Sequence, residues 1–433
     1  MDIKKIFIYV HACELRLLEA TRLYHFFLKN RDYYEIIHNP KEADIIIFFA
    51  CTFSDTLAEK LLLKAKDFQK YNAELILAGC LHETKKEELA NFFKGKTLSP
   101  KDMEKIDDLF PSNNIKFKDI KDPNVPIEKI YGSRALYNRN SIIEKIKQGF
   151  GKSKMLDKTY KKFQCEVYNN ILDTTRFRSR FYTFEPFFII KISEGCNDKH
   201  PCSSYFGKKI KKAVGPLKSK PIDQCVSELK YGLKQGYKNF VITADDSGAY
   251  GLDIGSSFPE LLDEMTKISG DYNFEIENLT QYWIVKYIDQ LEDILKRKKI
   301  SRLKILIESA STRILNLMNR YSDIEKMKHA FLRLKEADPK ISLFTHILVG
   351  FPTETEEEFK QSISFIKEIG FDVGYFYTFP FHANTDFDDI EPKVTEEILT
   401  KRMNYAEKFL KKAKYNVKVW CCFEGILFKK MQP

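Results

Sequence analysis

Twice along this chain of 433 residues, short apolar runs alternate with helix-length amphipathic stretches, and that alternation restricts the fold more than any other feature. A strand, a helix and another strand read as a parallel βαβ unit, because parallel strands need a crossover long enough to return to the same edge. The first series has strand candidates at Ile6 to Val10, Asp44 to Phe49 and Glu74 to Ala78, with helix candidates at Glu14 to Lys29 and Asp55 to Gln69. The second series has six strand candidates, at Phe187 to Ile192, Asn239 to Thr243, Asn273 to Glu277, Leu303 to Glu308, Ser342 to Val349 and Gly374 to Phe379. Six strand-helix units in succession predict an incomplete barrel with its chemistry at the carboxyl ends of the strands. From Gly95 to Arg180 the pattern weakens into Lys-, Asn- and Asp-rich sequence that reads as linker plus insertion. The expected organisation is an α/β domain over 1–110, a linker and insertion over 111–180, a partial barrel over 181–412 and a short tail over 413–433 that holds a strand or two.

Hydrophobic residues at 43% and charged residues at 30% exclude a wholly disordered chain and supply enough apolar surface for sizeable cores. The N-terminal run Ile6 to Val10 is broken by His11 and lacks a signal-peptide pattern, and no apolar run reaches membrane-spanning length. Nine cysteines, an odd number without an export signal, suit a reducing compartment and metal or redox use better than a disulfide framework. The expected location is therefore cytoplasmic, with no membrane association. A net charge of +10 favours a polyanionic partner, although lysine is spread over the whole chain and no concentrated basic arm is visible. The oligomeric state is not legible.

Cys13, Cys51 and Cys80 each lie just past the end of a strand candidate. Parallel strands end on one edge, so three thiols far apart in sequence gather in the crevice at the carboxyl ends of the sheet, where open α/β folds place ligands. Core cysteines would fall within strands or helices instead. Three thiolates without an obvious fourth ligand suit a 4Fe–4S cluster that keeps one iron open, whereas structural zinc wants a fourth Cys or His. His11 and His82 lie near enough in sequence to keep zinc as the lesser alternative.

At the first barrel strand the chain reads Lys191-Ile192-Ser193-Glu194-Gly195-Cys196, with Cys202 following. Further on come Asp245-Asp246-Ser247-Gly248-Ala249-Tyr250-Gly251-Leu252-Asp253, then Ser309-Ala310-Ser311 with Leu317-Met318-Asn319-Arg320, then Val349-Gly350-Phe351-Pro352-Thr353-Glu354-Thr355. Together these phrases resemble the radical S-adenosylmethionine methylthiotransferases, and the Asp245 phrase resembles the branch acting on threonylcarbamoyl-adenosine in tRNA. The resemblance implies an N-terminal Rossmann/flavodoxin-like parallel α/β domain and a partial (βα)6 radical-SAM barrel. It further implies an auxiliary 4Fe–4S cluster on Cys13, Cys51 and Cys80, and a second 4Fe–4S cluster on a Cys-x3-Cys-x2-Cys motif to which Cys196 and Cys202 belong. S-adenosylmethionine would be held by Asp245, Asp246, Glu308, Ser309, His346 and Gly350. The implied activity is sulfur insertion and methylthiolation of a tRNA adenosine, or of a ribosomal protein or other peptide.

The chain also departs from that family. Three residues after Cys202 stands Tyr205, and strict family spacing from Cys196 puts His200 and Ser203 at the ligand positions. His200 and Cys225 are the substitutes at hand for the third ligand, each more readily an ordinary loop or core residue. Glu308 and Ala310 replace the family's Gln and Gly, His346 stands in place of Asp, and Val214 in place of Arg. The tail is too short for the family's C-terminal β-barrel module, and Cys421-Cys422 reads as incidental, because adjacent cysteines form strained disulfides. The competing expectation is a degenerate homologue that keeps the fold and the auxiliary cluster but acts as a binding protein for RNA or a protein partner.

Overall fold

The computed structural model describes residues 2–50, 55–112, 114–127, 187–197, 211–379, 387, 389–420 and 425–431. The chain divides into two units, Met1–Glu185 with Lys212–Val214 and Pro186–Lys211 with Gly215–Pro433.

The first unit is a parallel sheet in the order β2-β1-β3-β4-β5. Its strands are β1 (Lys4–His11), β2 (Tyr34–Ile36), β3 (Ile45–Ala50), β4 (Glu74–Gly79) and β5 (Lys96–Leu98). The helices are α1 (Glu14–Lys29), α2 (Asp55–Phe68) and three short ones, α3 (Leu81–Thr84), α4 (Lys86–Ala90) and α5 (Ile106–Leu109). The β3 sequence IIIFFA is apolar without alternation because helices cover both faces of the sheet. Ile47 and Phe49 pack with Phe26 and Phe27 of α1, while Ile46 and Phe48 turn the other way onto Leu61 and Phe68 of α2. That split follows from the two-residue period of a strand.

The sequence pattern weakens from Gly95, but the structure continues through it. Met103, Ile106, Phe110, Phe117 and Ile120 are buried in the cluster that covers α1. Arg22 of α1 ties this segment down, donating from Nε to the Ile120 carbonyl at 2.7 Å and from Nη2 to the Phe117 carbonyl at 3.2 Å. Single apolar residues separated by lysines and aspartates carry no periodicity, so nothing in the local pattern announced their burial. Residues 128–186 lie outside the described residues.

The second unit carries a sheet in the order β14-β15-β13-β12-β11-β10-β9-β6. Here β6 (Phe187–Lys191), β9 (Asn239–Thr243), β10 (Asn273–Thr280), β11 (Ile300–Glu308), β12 (Ser342–Val349) and β13 (Val373–Thr378) are all parallel. A two-residue pair, β7 (Ser193–Glu194) with β8 (Lys218–Ser219), is antiparallel. The crossovers hold α6 (Ile222–Lys234), α7 (Phe258–Thr266), α8 (Gln281–Lys286), α9 (Ile288–Leu295), α10 (Thr312–Leu317), α11 (Ile324–Ala337) and α12 (Glu356–Ile369). After α13 (Glu396–Lys412), the hairpin of β14 (Tyr415–Trp420) and β15 (Gly425–Lys430) extends the sheet antiparallel to β13.

These strands differ from those of the first unit. Phe274, Ile276, Leu303, Ile305, Ile307, Leu343 and Ile347 join the main core, whereas the other face of β10 and β11 carries Glu275, Glu277, Arg302 and Lys304. Arg302 meets Glu275 at 3.1 Å and Lys304 meets Glu277 at 2.9 Å. One face is therefore greasy and the other a row of cross-strand ion pairs, and the site lies at the carboxyl end of that polar face.

Candidate cofactor and cluster sites

In the first unit, His11, Ala50 and Gly79 pair directly across β1, β3 and β4. Cys13, Cys51 and Cys80 thus lie two, one and one residues beyond a single row of the sheet. Cys80 is fixed by its N–H, which donates to the Ala50 carbonyl at 3.0 Å. Cys13 opens α1, its carbonyl accepting from Leu17 N–H at 2.9 Å. The start of a helix favours a thiolate because the peptide dipoles point their positive ends at it. Cys13 is exposed and Cys80 half-buried. Cys51 lies outside the described residues. Nearby His82 is buried, and its Nδ1 has no hydrogen-bond partner among the described residues. Burial, with Lys101 adding to it and Glu83 opposing, holds the His82 ring below its ordinary value and hence neutral.

In the second unit, Cys196 is buried just after β7. The loop that presents it is pinned from two sides. Gly195 has φ +79°, and a Cβ there would come within 2.1 Å of the Pro216 carbonyl oxygen, so no side chain fits. Its N–H donates to Asp245 Oδ2 at 2.9 Å. Asp245, placed among the cofactor residues by sequence, therefore fixes the cysteine loop through the backbone. Its neighbour Asp246 accepts both bonds of a forked contact from Trp283 Nε1, at 2.9 and 3.2 Å. Trp283 is a residue the sequence reading missed, and its only signal was its rarity, two tryptophans in the whole chain.

Glu308 ends β11 with φ +65°. Its Oε1 lies 3.0 Å from His346 Nε2 and 3.7 Å from Arg320 Nη1, while its Oε2 is buried with no partner among the described residues. Burial opposes ionisation of this carboxyl, but His346 and Arg320 outweigh it and hold Glu308 below the usual carboxylate range. Arg320 is in turn anchored by the Leu306 carbonyl and by Gln281 Oε1. His346 sets its ring edge against Tyr377, 5.8 Å between centroids. Ser309 turns away from this group; its Oγ accepts from Ser311 N–H at 3.1 Å and lies 3.3 Å from Ser362 Oγ. Gly350, at the end of β12, donates its N–H to Glu354 Oε2 at 2.7 Å.

The structure thus brings together Glu308, His346 and Arg320 on one side and Cys196 and Asp245, through Gly195, on the other. Among the described residues no group of three or more His, Cys, Asp or Glu side chains converges as a metal site. Cys202, His200, Ser203, Tyr205, Cys421 and Cys422 lie outside the described residues. Cys225 sits wholly buried in α6, and burial, with Glu228 and Asp223 adding to it, pushes its thiol up to about 12. A thiol that far from ionising is a packed core residue, because the thiolate is the form that binds metal.

Comparison with known proteins fits this geometry. Residues 190–366 match the radical SAM superfamily, and residues 5–98 match the uncharacterized protein family UPF0004. A probable threonylcarbamoyladenosine tRNA methylthiotransferase from Pyrococcus horikoshii is 25% identical over 78% of this chain and 68% of its own length. The ribosomal protein uS12 methylthiotransferase of Acetivibrio thermocellus is 27% identical over 93% of this chain and 80% of its own. A radical S-adenosylmethionine methyltransferase from Kitasatospora setae superposes with a TM-score of 0.53 at 10% identity, covering 86% of this chain and 72% of that one. That likeness speaks to the fold. The polar-faced barrel with its cysteine loop after the first strand is that of a radical S-adenosylmethionine enzyme, and membership of that superfamily implies a 4Fe–4S cluster and S-adenosylmethionine. The two matched models and these relatives together support the methylthiotransferase family and indicate a transferase. No helix of the described residues is long and apolar enough to cross a membrane.

Proposed function

We propose that this protein methylthiolates a tRNA adenosine, with Cys13, Cys51 and Cys80 holding an auxiliary 4Fe–4S cluster and Cys196 and Cys202 contributing to a radical cluster. The observation that carries the reading is the shared strand row from which Cys13, Cys51 and Cys80 all emerge. Soft thiolate donors at one sheet edge fit an iron–sulfur cluster. The buried Oε2 of Glu308, without a partner among the described residues, fits a hydrogen-bond donor of S-adenosylmethionine, since a buried carboxylate oxygen without a partner is otherwise costly. The chemistry these groups supply when bound is reductive cleavage of S-adenosylmethionine, hydrogen abstraction and sulfur delivery.

The protein's own contribution is placement. Asp245 holds the Gly195 backbone beside Cys196, His346 and Arg320 keep Glu308 ionised, and Gly350 leaves its strand end without a side chain. The Asp245-to-Asp253 phrase and the Pyrococcus horikoshii relative favour tRNA over a ribosomal peptide. The organisation 1–110, 111–180, 181–412 and 413–433 remains part of this reading, as does a cytoplasmic site of action.

The test is anaerobic reconstitution followed by incubation with S-adenosylmethionine, a strong reductant and tRNA, with 5′-deoxyadenosine and modified nucleosides measured by mass spectrometry. Both products should form, and both should vanish in Cys196→Ala. Cleavage without tRNA modification, but with methylthiolation of ribosomal protein, would move the substrate to a peptide. No cleavage by protein carrying its iron would establish the degenerate, binding-only reading, which the two-thiol radical motif favours.

A further inference from the structure

The turn after β12 is held mainly by a helix distant in sequence. Gly350 N–H donates to Glu354 Oε2 at 2.7 Å, and Arg402 Nη1 of α13 donates to that same oxygen at 2.8 Å. Arg402 Nη2 donates to the backbone carbonyl of Glu354 at 2.7 Å. The guanidinium therefore grips one residue by both its side chain and its main chain, and a planar fork used in this way fixes orientation as well as distance. The side chains are 4% and 1% exposed, so water does not substitute for either partner. Glu354 Oε1 has no partner among the described residues, which leaves Arg402 as the cation facing this carboxylate. Glu356 of α12 reaches Arg402 Nε at 3.4 Å, and Glu358 of α12 is occupied by Arg313 of α10.

The rest of the turn is equally over-determined. Leu399, also on α13, closes over Gly350, where a Cβ would lie 2.2 Å from its Cδ2. Thr353 has φ +68°, a strained position for a β-branched residue that persists only when its surroundings dictate it. Its N–H donates to the Pro392 carbonyl at 2.8 Å, and Arg313 donates to its Oγ1 at 2.9 Å and its carbonyl at 2.8 Å. Without Arg402 the buried Glu354 side chain would lose its charged donor, and the Gly350 amide would lose a fixed acceptor.

We propose that Arg402 is a positioning residue for the cofactor pocket: from the C-terminal helix it locks the Gly350 turn through Glu354. This rests on the reading that the end of β12 contacts S-adenosylmethionine. It makes the 396–412 helix part of the pocket's construction.

The experiment measures the affinity of reconstituted full-length protein for S-adenosylhomocysteine by calorimetry, alongside hydrogen exchange over residues 350–354. Arg402→Met should weaken binding at least tenfold and lose protection at Gly350. Lys401→Met, which removes an exposed charge on the same helix, should change neither. If Arg402→Met fails to fold, Arg402→Lys and Glu354→Gln replace it, and each should weaken binding several-fold. Folded variants that bind as tightly as wild type overturn the proposal. Wild-type protein that carries its cluster but does not bind S-adenosylhomocysteine overturns the functional reading, and the proposal with it.

Discussion

The two sheets of this protein set their candidate site residues at the same topological place, the carboxyl ends of parallel strands, but build the place from different material. In the first unit both faces of the sheet are apolar, and the candidate ligands are thiols just past the strand ends, placed by backbone register alone. In the second unit one face is a row of ion pairs, and the site is an extension of it, with Glu308, His346 and Arg320 continuing the pattern of Glu275–Arg302 and Glu277–Lys304. The contrast teaches that ligand and scaffold are separable in the first unit and entangled in the second. Cys13 is exposed and Cys80 half-buried, so either thiol is expected to go without disturbing a core, whereas a charge removed from the barrel leaves a buried partner stranded.

The sharpest way to break this comparison is at the thiols. Cys13→Ala, Cys51→Ala or Cys80→Ala should each cost the protein one whole 4Fe–4S cluster, read as iron and sulfide per chain after anaerobic reconstitution, while the thermal midpoint of the metal-free protein stays where it was. Unchanged iron content would remove the auxiliary cluster from the first unit. A large drop in the midpoint would mean that the thiol is a core residue after all.

A smaller effect is expected in the second unit from Trp283→Phe. Phenylalanine keeps most of the ring volume but withdraws the N–H from Asp246, leaving a buried carboxylate short of a donor. Loss of a hydrogen bond to a charged group costs about 2 kcal/mol, which denaturant unfolding resolves. A neutral result would show that the Asp245–Asp246 loop is held by other contacts.

A further effect is one of pH and concerns Glu354. Burial pushes its carboxyl up to about 7, against the pull of the Gly350 N–H and Arg402. Glu358, although partly desolvated, is held down at about 2 by Arg313, Thr355 and Ser311, so it stays ionised across the same range. For Glu354 the folded state keeps a proton that the unfolded chain gives up near 4.5, so stability falls as pH rises from that value to about 7. Glu354→Gln cannot titrate. Its stability should therefore vary less with pH in that window than the wild type's, and identical slopes would count against a raised Glu354.

Much of this was legible in the chain itself. The parallel strands β1, β3, β4, β6 and β9 to β13 appear where short apolar runs alternate with amphipathic stretches, with ends displaced by a residue or a few. The phrases around Cys196, Asp245, Ser309 and Gly350 lie at strand ends, as βα topology requires. The three-residue strands β2 and β5 were not legible, being too short to show a period of two. Nor was the burial of Phe110, Phe117 and Ile120 in a stretch whose composition reads as linker.

What the sequence determined by itself is the set of local choices: which residues form strands and helices, that the strands run parallel, and that particular cysteines follow them. Only the tertiary structure decided the partnerships. Trp283 meets Asp246 across 37 positions, Glu308 meets His346 across 38 and Arg402 meets Glu354 across 48. The physical reason is one of range. Periodicity, capping and turn chemistry act between residues a few positions apart, whereas a buried charge is satisfied by whichever group the folded sheet brings within about 3 Å of it, and no local pattern encodes which one that is.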